Sequence, residues 1–190
     1  EDRQACKQKI YDFNQLPPSR QSKEAPQMIK NIFGKTGENV WVEAPFHCDY
    51  GWNIEVGENF YSNYNLTILD VGKVTCGKNV QIAPNVSIYT AGHPVHPDSR
   101  NSGYEYGIPV TVGDNVWIGG NTVILPGVTV GSNVVIGAGS VVSKDIPDNT
   151  IAAGNPCKVI RKITDEDRIY YFKKQKFDDE AWEEVKNKNK

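Results

Sequence analysis

Residues 110–143 read VTVGDNVWIGGNTVILPGVTVGSNVVIGAGSVVS and carry a branched aliphatic side chain at every sixth position. These positions are Val112, Ile118, Ile124, Val130, Ile136 and Val142. A helix repeats every 3.6 residues, so one helical face cannot collect side chains spaced six apart. Glycine also recurs through the stretch and weakens a helix further. The period therefore indicates an internal repeat that is not helical.

Turn-forming pairs interrupt the repeat at regular intervals. Asp114-Asn115 and Ser132-Asn133 are examples, and both pairs favour tight turns over extended strand. Short strands, tight turns and one inward aliphatic residue in six are typical of a parallel β-helix, in which three hexapeptides make one coil of about 18 residues. One coil cannot bury its own apolar face, so several stacked coils with end caps are expected. The sequence thus predicts an all-β solenoid.

Three domains are predicted, and one long interruption divides the repeat. We assign residues 1–38 to an N-terminal helical cap, 39–163 to the β-helix and 164–190 to a C-terminal helix and tail. The repeat gains two residues near positions 70–73 and stops altogether at residues 90–109, TAGHPVHPDSRNSGYEYGIP. A long excursion from a regular scaffold is usually functional or disordered, which marks this loop as the first place to seek chemistry.

Helices are predicted at both ends of the chain. Apolar spacing indicates helices over about 1–13 and 22–33, with Pro26 tolerable only in a first turn. After a strand at 158–163, Thr164 followed by Asp167 resembles a capping box, which predicts a final helix over about 165–186.

Composition excludes several classes of protein. The net charge of −2 gives no basic face for nucleic acid, and no apolar run is long enough for a membrane span or a signal peptide. A cytoplasmic location is therefore expected. Four widely spaced cysteines without a C-x-x-C pair argue against a disulfide framework and against a cysteine-rich zinc site, so we expect reduced, small apolar residues.

His93 is the leading candidate for chemistry. It lies in the excursion between Gly92 and Pro94, and histidine titrates near neutral pH, as a general base requires. His47 and His96 raise a zinc-site alternative of the kind found in β-helical carbonic anhydrases. A spacing of three residues between two of the histidines does not place them on neighbouring coils, so no metal is expected.

Other polar residues have two readings from sequence alone. Asn63 is either a turn asparagine or a ligand contact, and Glu105 is either a solvated carboxylate or a hydrogen-bond partner for a polar ligand. Lys144, Lys158 and Arg161 are either ordinary surface cations or partners for the phosphates of a cofactor.

Several motifs occur together and in order. They are CDYGWNIEVGENFYSNYNLTILD at 48–70, the HP-containing excursion, NVWIGG at 115–120 and GNPCKVIR at 154–161. With these motifs, residues 11–172 closely resemble the maltose and galactoside O-acetyltransferases of the hexapeptide-repeat superfamily. The resemblance implies a left-handed β-helix, a homotrimer with active sites between subunits, and acetyl transfer from acetyl-CoA to a sugar hydroxyl without a covalent enzyme intermediate.

The resemblance also implies roles for individual residues. His93 matches the general base, Asn63 an acceptor contact, and the Gly120 N–H an oxyanion donor. The implied coenzyme A contacts are Trp117, Gly119, Gly120, Ala138, Ser143, Lys144, Lys158 and Arg161. On the acceptor side the implied contacts are Asn63, Asp49, Asp70 and Glu105, with Val71 where some relatives have a second acid. In that family a further acceptor-side aspartate lies on an N-terminal helix that begins upstream of Glu1.

Three alternatives remain open at the level of sequence. The same fold and cosubstrate serve acetyltransferases that act on antibiotic hydroxyls or on serine. A trimeric β-helix without catalytic activity would use His93 as a loop residue and Trp117 for packing. The acceptor that supports turnover distinguishes an antibiotic or serine acetyltransferase from a sugar acetyltransferase. Coenzyme A binding distinguishes all of these enzymes from a non-catalytic β-helix.

Overall fold

The computed structural model describes residues 1–188 and begins with two helices, α1 (Asp2–Asn14) and α2 (Pro18–Ile32). The buried side chains of α1 are Cys6, Ile10 and Phe13, which pack the helix on the first coil. Helix α2 begins four residues earlier than predicted because Pro18 suits a first turn, where no N–H is needed. The restriction of Pro26 to a first turn was wrong. Pro26 lies inside α2. Proline has no N–H, so the carbonyl of Ser22 lacks its helical donor, and Ser22 is exposed.

Short strands follow in a repeating order. The first eight are β1 (Val40–Val42), β2 (Phe46–Cys48), β3 (Ile54–Val56), β4 (Phe60–Ser62), β5 (Leu66–Leu69), β6 (Val74–Cys76), β7 (Gln81–Ile82) and β8 (Ser87–Tyr89). The excursion contains β9 (Ala91–Gly92), α3 (Pro97–Asn101) and β10 (Tyr106–Gly107). The coil resumes with β11 (Val110–Val112), β12 (Trp117–Ile118), β13 (Val123–Ile124), β14 (Thr129–Val130), β15 (Val135–Ile136), β16 (Val141–Val142) and β17 (Thr150–Ala153).

The strands stack into three parallel faces of a left-handed β-helix, as the sequence predicts. Face A contains β3, β6, β11 and β14, and face C contains β2, β5, β8, β13 and β16. Face B contains β1, β4, β7, β12, β15 and β17, with β18 (Lys158–Lys162) added antiparallel at its end. The chain passes from B to C to A in each coil, so every residue between strands belongs to a definite corner.

Strand register explains the irregular period of the first coils. Trp41 pairs with Tyr61 twenty residues later, whereas Thr111 pairs with Thr129 eighteen residues later. The two extra residues lie at the corner from face C to face A, between β2 and β3 in the first coil and at 70–73, before β6, in the second coil, where Tyr61 pairs with Gln81. The predicted insertion is therefore a longer corner turn, and the stacking of the strands continues through it.

The predicted inward positions form the core. All six aliphatic residues of the repeat are at most 1% exposed. Asparagine residues turn the corner from face A to face B with positive φ, as at Asn79 and Asn115, and their side-chain amides hydrogen-bond from coil to coil. This ladder fixes the turns that the Asp-Asn and Ser-Asn pairs predict.

The predicted C-terminal helix is wrong over its first half. The capping box of Thr164 and Asp167 is present, but it starts a 3-10 helix (Asp165–Ile169) that ends after five residues. The aromatic run that follows favours strand, and β19 (Tyr170–Phe172) pairs with β20 (Gln175–Lys176) across a turn at Lys173, which has positive φ. Helix α4 spans Asp179–Lys188. Within residues 1–188, no helix combines the length and the apolar character that crossing a membrane requires.

Candidate active site

The excursion is a folded hairpin. Strands β9 and β10 pair antiparallel, with Gly92 opposite Tyr106. A side chain at Gly92 would meet the Tyr106 ring, so the glycine lets that ring pack across the hairpin. At its base, buried Thr90 accepts a hydrogen bond from the Gly72 N–H at 2.8 Å and donates to the Leu69 carbonyl at 2.6 Å. The hairpin is thus anchored to the corner from face C to face A, called the C/A corner below.

His93 follows β9 directly and is exposed. Its Nδ1 lies 3.1 Å from the backbone carbonyl oxygen of Tyr104. A carbonyl oxygen only accepts, so Nδ1 carries the hydrogen and the neutral ring keeps its lone pair on Nε2. His93 is therefore held in the tautomer that lets Nε2 act as a base.

The tip of the excursion holds the chain around His93. Arg100, in α3, donates from Nη1 to the carbonyl oxygens of Pro94 and Val95 at 3.2 and 2.8 Å. His96 caps α3 by accepting from the Asp98 N–H at 3.2 Å. This contact gives His96 a structural role, and no cluster of metal-ligating side chains is found within residues 1–188.

The predicted acceptor contact Asp49 lies at the C/A corner of the first coil. Its carboxylate is only 7% exposed and forms an ion pair with Arg3 of α1. The pKa of Arg3 is raised, first by its hydrogen bond to Asp49 and by the charge of that carboxylate, with Glu105 as a weaker contributor. Asp49 and Glu105 therefore act on one guanidinium.

Asp70 lies at the same corner but is fully buried. Its Oδ1 accepts hydrogen bonds from the N–H groups of Asp49 and Tyr50, both at 2.9 Å, and its Oδ2 accepts from Gly51 at 2.7 Å. Both oxygens are thus occupied by the backbone of the turn that carries Asp49. In this chain Asp70 shapes the turn that carries Asp49, and its carboxylate is not exposed for a direct contact.

A second set of predicted residues lies where face B passes to face C, the B/C corner. Backbone hydrogen bonds stack Asn63 on Ala83 through the Ile82 carbonyl, and Ala83 on Gly119 through the Ile118 carbonyl. Gly119 is buried, and an added side chain would press on the backbone of Ile136 and Ala138. The glycine therefore lets the next coil pack closely at this corner.

Two polar groups with a free donor lie at this corner. Asn63 accepts from the Tyr64 N–H through Oδ1 at 2.7 Å, which fixes its amide and leaves Nδ2 without an acceptor among residues 1–188. The N–H of Gly120 likewise has no acceptor in this part of the chain, although the Gly120 carbonyl accepts from Gly139 at 2.8 Å. Both donors are available to a ligand at the B/C corner.

Trp117 stands on the outer side of face B with 55% of its surface exposed. Strand register places Val135, Ile151 and Arg161 beyond it in one outward column, about 14 Å long at the usual strand spacing. Lys158 lies on the same edge strand and forms no ion pair within the described chain. Arg161 forms a two-point hydrogen bond with Asp167 at 2.6 and 2.8 Å and holds the pKa of that carboxyl well below its usual range.

The predicted residues therefore separate into two groups on opposite edges of face C. Asn63, Gly119, Gly120 and Ala138 lie at the B/C corner, beside Trp117, Lys158 and Arg161 on face B. His93, Glu105, Asp49 and Asp70 lie at the C/A corner, together with the exposed residues Ser143 and Lys144. Strands of two to four residues separate the corners by roughly 10 Å.

Sequence reasoning missed three contributors to the site. Tyr104 acts through its carbonyl oxygen, which no side-chain pattern reveals. Thr90 is an inward polar residue that anchors the hairpin. Arg3 could have been found, because it continues the spacing of Cys6 and Ile10 and so lies on the face of α1 that meets the coil.

The coil, the histidine hairpin and the glycine-lined corner define a hexapeptide-repeat acyltransferase. Residues 109–144 match the family described as bacterial transferase hexapeptide (six repeats), and residues 1–37 match the maltose acetyltransferase hexapeptide capping motif. The galactoside O-acetyltransferase of Escherichia coli (strain K12) is 53% identical over 167 residues, covering 88% of this chain and 82% of the relative. The chain belongs to this family of maltose and galactoside acetyltransferases.

Solved structures give the same relationship. A galactoside acetyltransferase in complex with coenzyme A superposes with a TM-score of 0.90 at 52% identity, covering 93% of this chain and 88% of that chain. A maltose O-acetyltransferase from Clostridium difficile 630 gives a TM-score of 0.84 at 54% identity, covering 86% and 87%.

Proposed function

We propose that this chain transfers the acetyl group of acetyl-CoA to a hydroxyl of a maltose-, glucose- or galactoside-type sugar, with His93 as general base. The observation that carries the proposal is the hydrogen bond from His93 Nδ1 to the Tyr104 carbonyl, because in the neutral ring it leaves the lone pair on Nε2. Family membership supports the acetyl donor, since the similar galactoside acetyltransferase has coenzyme A bound.

In the proposed reaction, Nε2 of His93 takes the proton of the acceptor hydroxyl as its oxygen attacks the thioester carbonyl. The N–H of Gly120 donates to the oxyanion that develops on that carbonyl. A donor of this kind typically lowers the activation free energy by about 3 kcal/mol. Collapse of the tetrahedral intermediate breaks the carbon–sulfur bond, and the protonated His93 returns the proton to the departing thiolate. No bond to the protein forms at any stage.

The cosubstrate would lie along face B and the B/C corner. Exposed Trp117 offers an apolar wall beside the B/C corner, where Gly119, Gly120 and Ala138 carry no side chain larger than a methyl group. Lys158 and Arg161 would meet the phosphates at the far end, where Asp167 holds the guanidinium in place. Ser143 and Lys144 would approach from the opposite corner.

The acceptor would lie between His93 and the donors and carboxylates around it. Asn63 offers its Nδ2, and Asp49 and Glu105 offer carboxylates suited to sugar hydroxyls. Asp70 is a positioning residue in this proposal, because its carboxylate is used by the backbone of the turn at Asp49. The likeness to the maltose and galactoside enzymes supports the choice of a sugar acceptor.

The active site would form between subunits of a homotrimer. His93 and Gly120 lie at opposite edges of face C, which favours a site in which the base that meets the acceptor hydroxyl and the donor that meets the thioester oxygen come from different chains. A neighbouring copy that presents its B/C corner to the His93 hairpin brings the two groups together.

A turnover screen tests the proposal. Release of the coenzyme A thiol from acetyl-CoA is followed with maltose, glucose, a galactoside, L-serine and an antibiotic alcohol as acceptors. We expect turnover with at least one sugar. Turnover confined to serine or to the antibiotic would overturn the acceptor class, and failure of millimolar coenzyme A to bind in calorimetry would reassign the chain to a non-catalytic module.

A further inference from the structure

Two of the four cysteines meet across the junction between α1 and the coil. Cys6 lies on the buried face of α1 and Cys48 ends β2, and their sulfur atoms are 3.6 Å apart. A disulfide needs about 2.05 Å between the sulfurs, so closure requires a movement of little more than 1.5 Å. Cys76 and Cys157 are free and buried, and neither has a sulfur neighbour within residues 1–188.

The cysteine pair sits in the middle of a docked helix. Arg3 pairs with Asp49 on one side, and on the other the Asn14 side chain both donates to and accepts from the Phe46 backbone, each at 2.9 Å. These contacts hold α1 along β2, so the two sulfurs stay close while the helix remains docked. We propose that Cys6 and Cys48 form a reversible intramolecular disulfide that locks α1 onto the first coil.

The four thiols differ in reactivity. The hydrogen bond from Cys48 lowers the pKa of Cys6, which favours the thiolate form that reacts with oxidants. Burial raises the pKa of Cys76 to about 12 and also raises the pKa of Cys157, so both stay protonated at neutral pH. The hydrogen bond with Cys6 and burial raise the pKa of Cys48, so Cys6 is the thiol that reacts first, and Cys48 follows because its sulfur lies only 3.6 Å away.

The oxidant is a peroxide, which is small enough for the confined junction. The Cys6 thiolate attacks one oxygen of hydrogen peroxide and becomes a sulfenic acid as hydroxide leaves. The sulfur of Cys48 then attacks the sulfur of Cys6, forming the disulfide and releasing water. In sum two thiols and one hydrogen peroxide give one disulfide and two waters, and the thiols supply both electrons. A dithiol reductant reverses the step.

Peptide mapping tests the proposal without any measurement of acetyl transfer. The full chain is treated with one equivalent of hydrogen peroxide, alkylated with N-ethylmaleimide under denaturing conditions and digested with trypsin without reductant. We expect residues 4–7 and 36–73 to appear as one cross-linked species that dithiothreitol separates, while Cys76 and Cys157 carry the alkyl group. The variant Cys157→Ser should give the same cross-link, and Cys6→Ser should not.

Thermal unfolding of the wild-type chain gives a second readout that does not depend on peptide mapping. Closing the loop from Cys6 to Cys48 restricts the unfolded chain, so the oxidised wild type should melt several degrees above the reduced protein. Peroxide should leave the melting temperature of Cys6→Ser unchanged. Alkylation of both Cys6 and Cys48 after peroxide treatment, or a disulfide between two copies of the chain, would overturn the proposal.

Discussion

The Nδ1 nitrogen of His93 donates a hydrogen bond to the backbone carbonyl of Tyr104 at 3.1 Å, across the hairpin that interrupts the coil. The β9–β10 pairing brings these two residues together, and Thr90 ties that pairing to the coil. The His93 ring is therefore oriented by main-chain geometry. Its tautomer depends on the hairpin and not on the side chain at position 104.

Replacing His93 with alanine should lower kcat by about 10² to 10⁴-fold, the usual cost of removing a general base. Coenzyme A affinity, measured by calorimetry, should stay within about twofold of the wild-type value, because most of the proposed coenzyme A contacts lie on face B and at the B/C corner. The matched control is His96→Ala, which removes only the cap of a short helix and should keep most of the activity. Equal turnover in His93→Ala and wild type would reject the mechanism.

A pair of substitutions at Gly120 separates its N–H from its small size. Gly120→Ala keeps the donor, and its methyl group would lie 3.1 Å from the Pro84 carbonyl, so a modest loss is expected. Gly120→Pro removes the donor and should lower kcat by about 10² to 10³-fold. Thermal unfolding of both variants checks that the coil is intact. Similar kcat values for well-folded alanine and proline variants would argue against an oxyanion role.

The ion pair between Arg3 and Asp49 predicts a specific defect in acceptor binding. Asp49→Asn should raise the KM for the sugar with little change in coenzyme A affinity. Arg3→Gln should have the same effect, because the Asp49 carboxylate is no longer held by the Arg3 guanidinium. If both act through one contact, the double variant should be no worse than the poorer single variant. Additive losses in the steady-state KM would show that the two residues act separately.

Most of the scaffold could be predicted from sequence because its determinants are local. Ile118, Ile124 and Ile136 repeat at a fixed spacing, and each is buried at the position that the spacing gives. The C-terminal region was harder, since the capping box at Thr164 predicts where a helix starts but not that the aromatic run after it pairs as a hairpin. That outcome depends on a competition between local propensities.

The site was less accessible to sequence because backbone groups and distant segments build it. Asp70 has the residue type of a ligand contact, yet three backbone N–H groups occupy it, and only the folded turn reveals this. Arg3 pairs with Asp49 from helix α1, although the two residues are 46 positions apart in the sequence. The excursion and the resemblance both indicate His93, but the carbonyl that sets its tautomer belongs to a position whose side chain is not involved.

The turn that joins α2 to the coil should make stability depend on acid pH. The N–H groups of Asn39 and Glu38 donate to the Glu58 carboxylate at 3.0 and 2.7 Å, and these bonds lower its pKa. A carboxyl whose pKa is lower in the folded state stabilises the fold above its ordinary value of about 4.3 and loses that effect as pH falls below it. Glu58→Gln should therefore melt below wild type at pH 7, and the gap should narrow towards pH 3. A constant gap across this range would contradict the assignment.

Mixing two inactive variants tests whether the active site is shared between copies. His93→Ala keeps an intact Gly120 donor, and Gly120→Pro keeps an intact His93, so each homotrimer lacks one half of every site. If the halves come from neighbouring chains, co-expressed variants should form mixed trimers in which about a quarter of the sites pair an intact histidine with an intact donor. Turnover should then recover towards about a quarter of wild type, whereas separately purified trimers combined without exchange should stay inactive. A site built within one chain can never be completed by mixing. Absence of recovery in verified mixed trimers would therefore place His93 and Gly120 of the same chain in one site and would argue against a site shared between subunits.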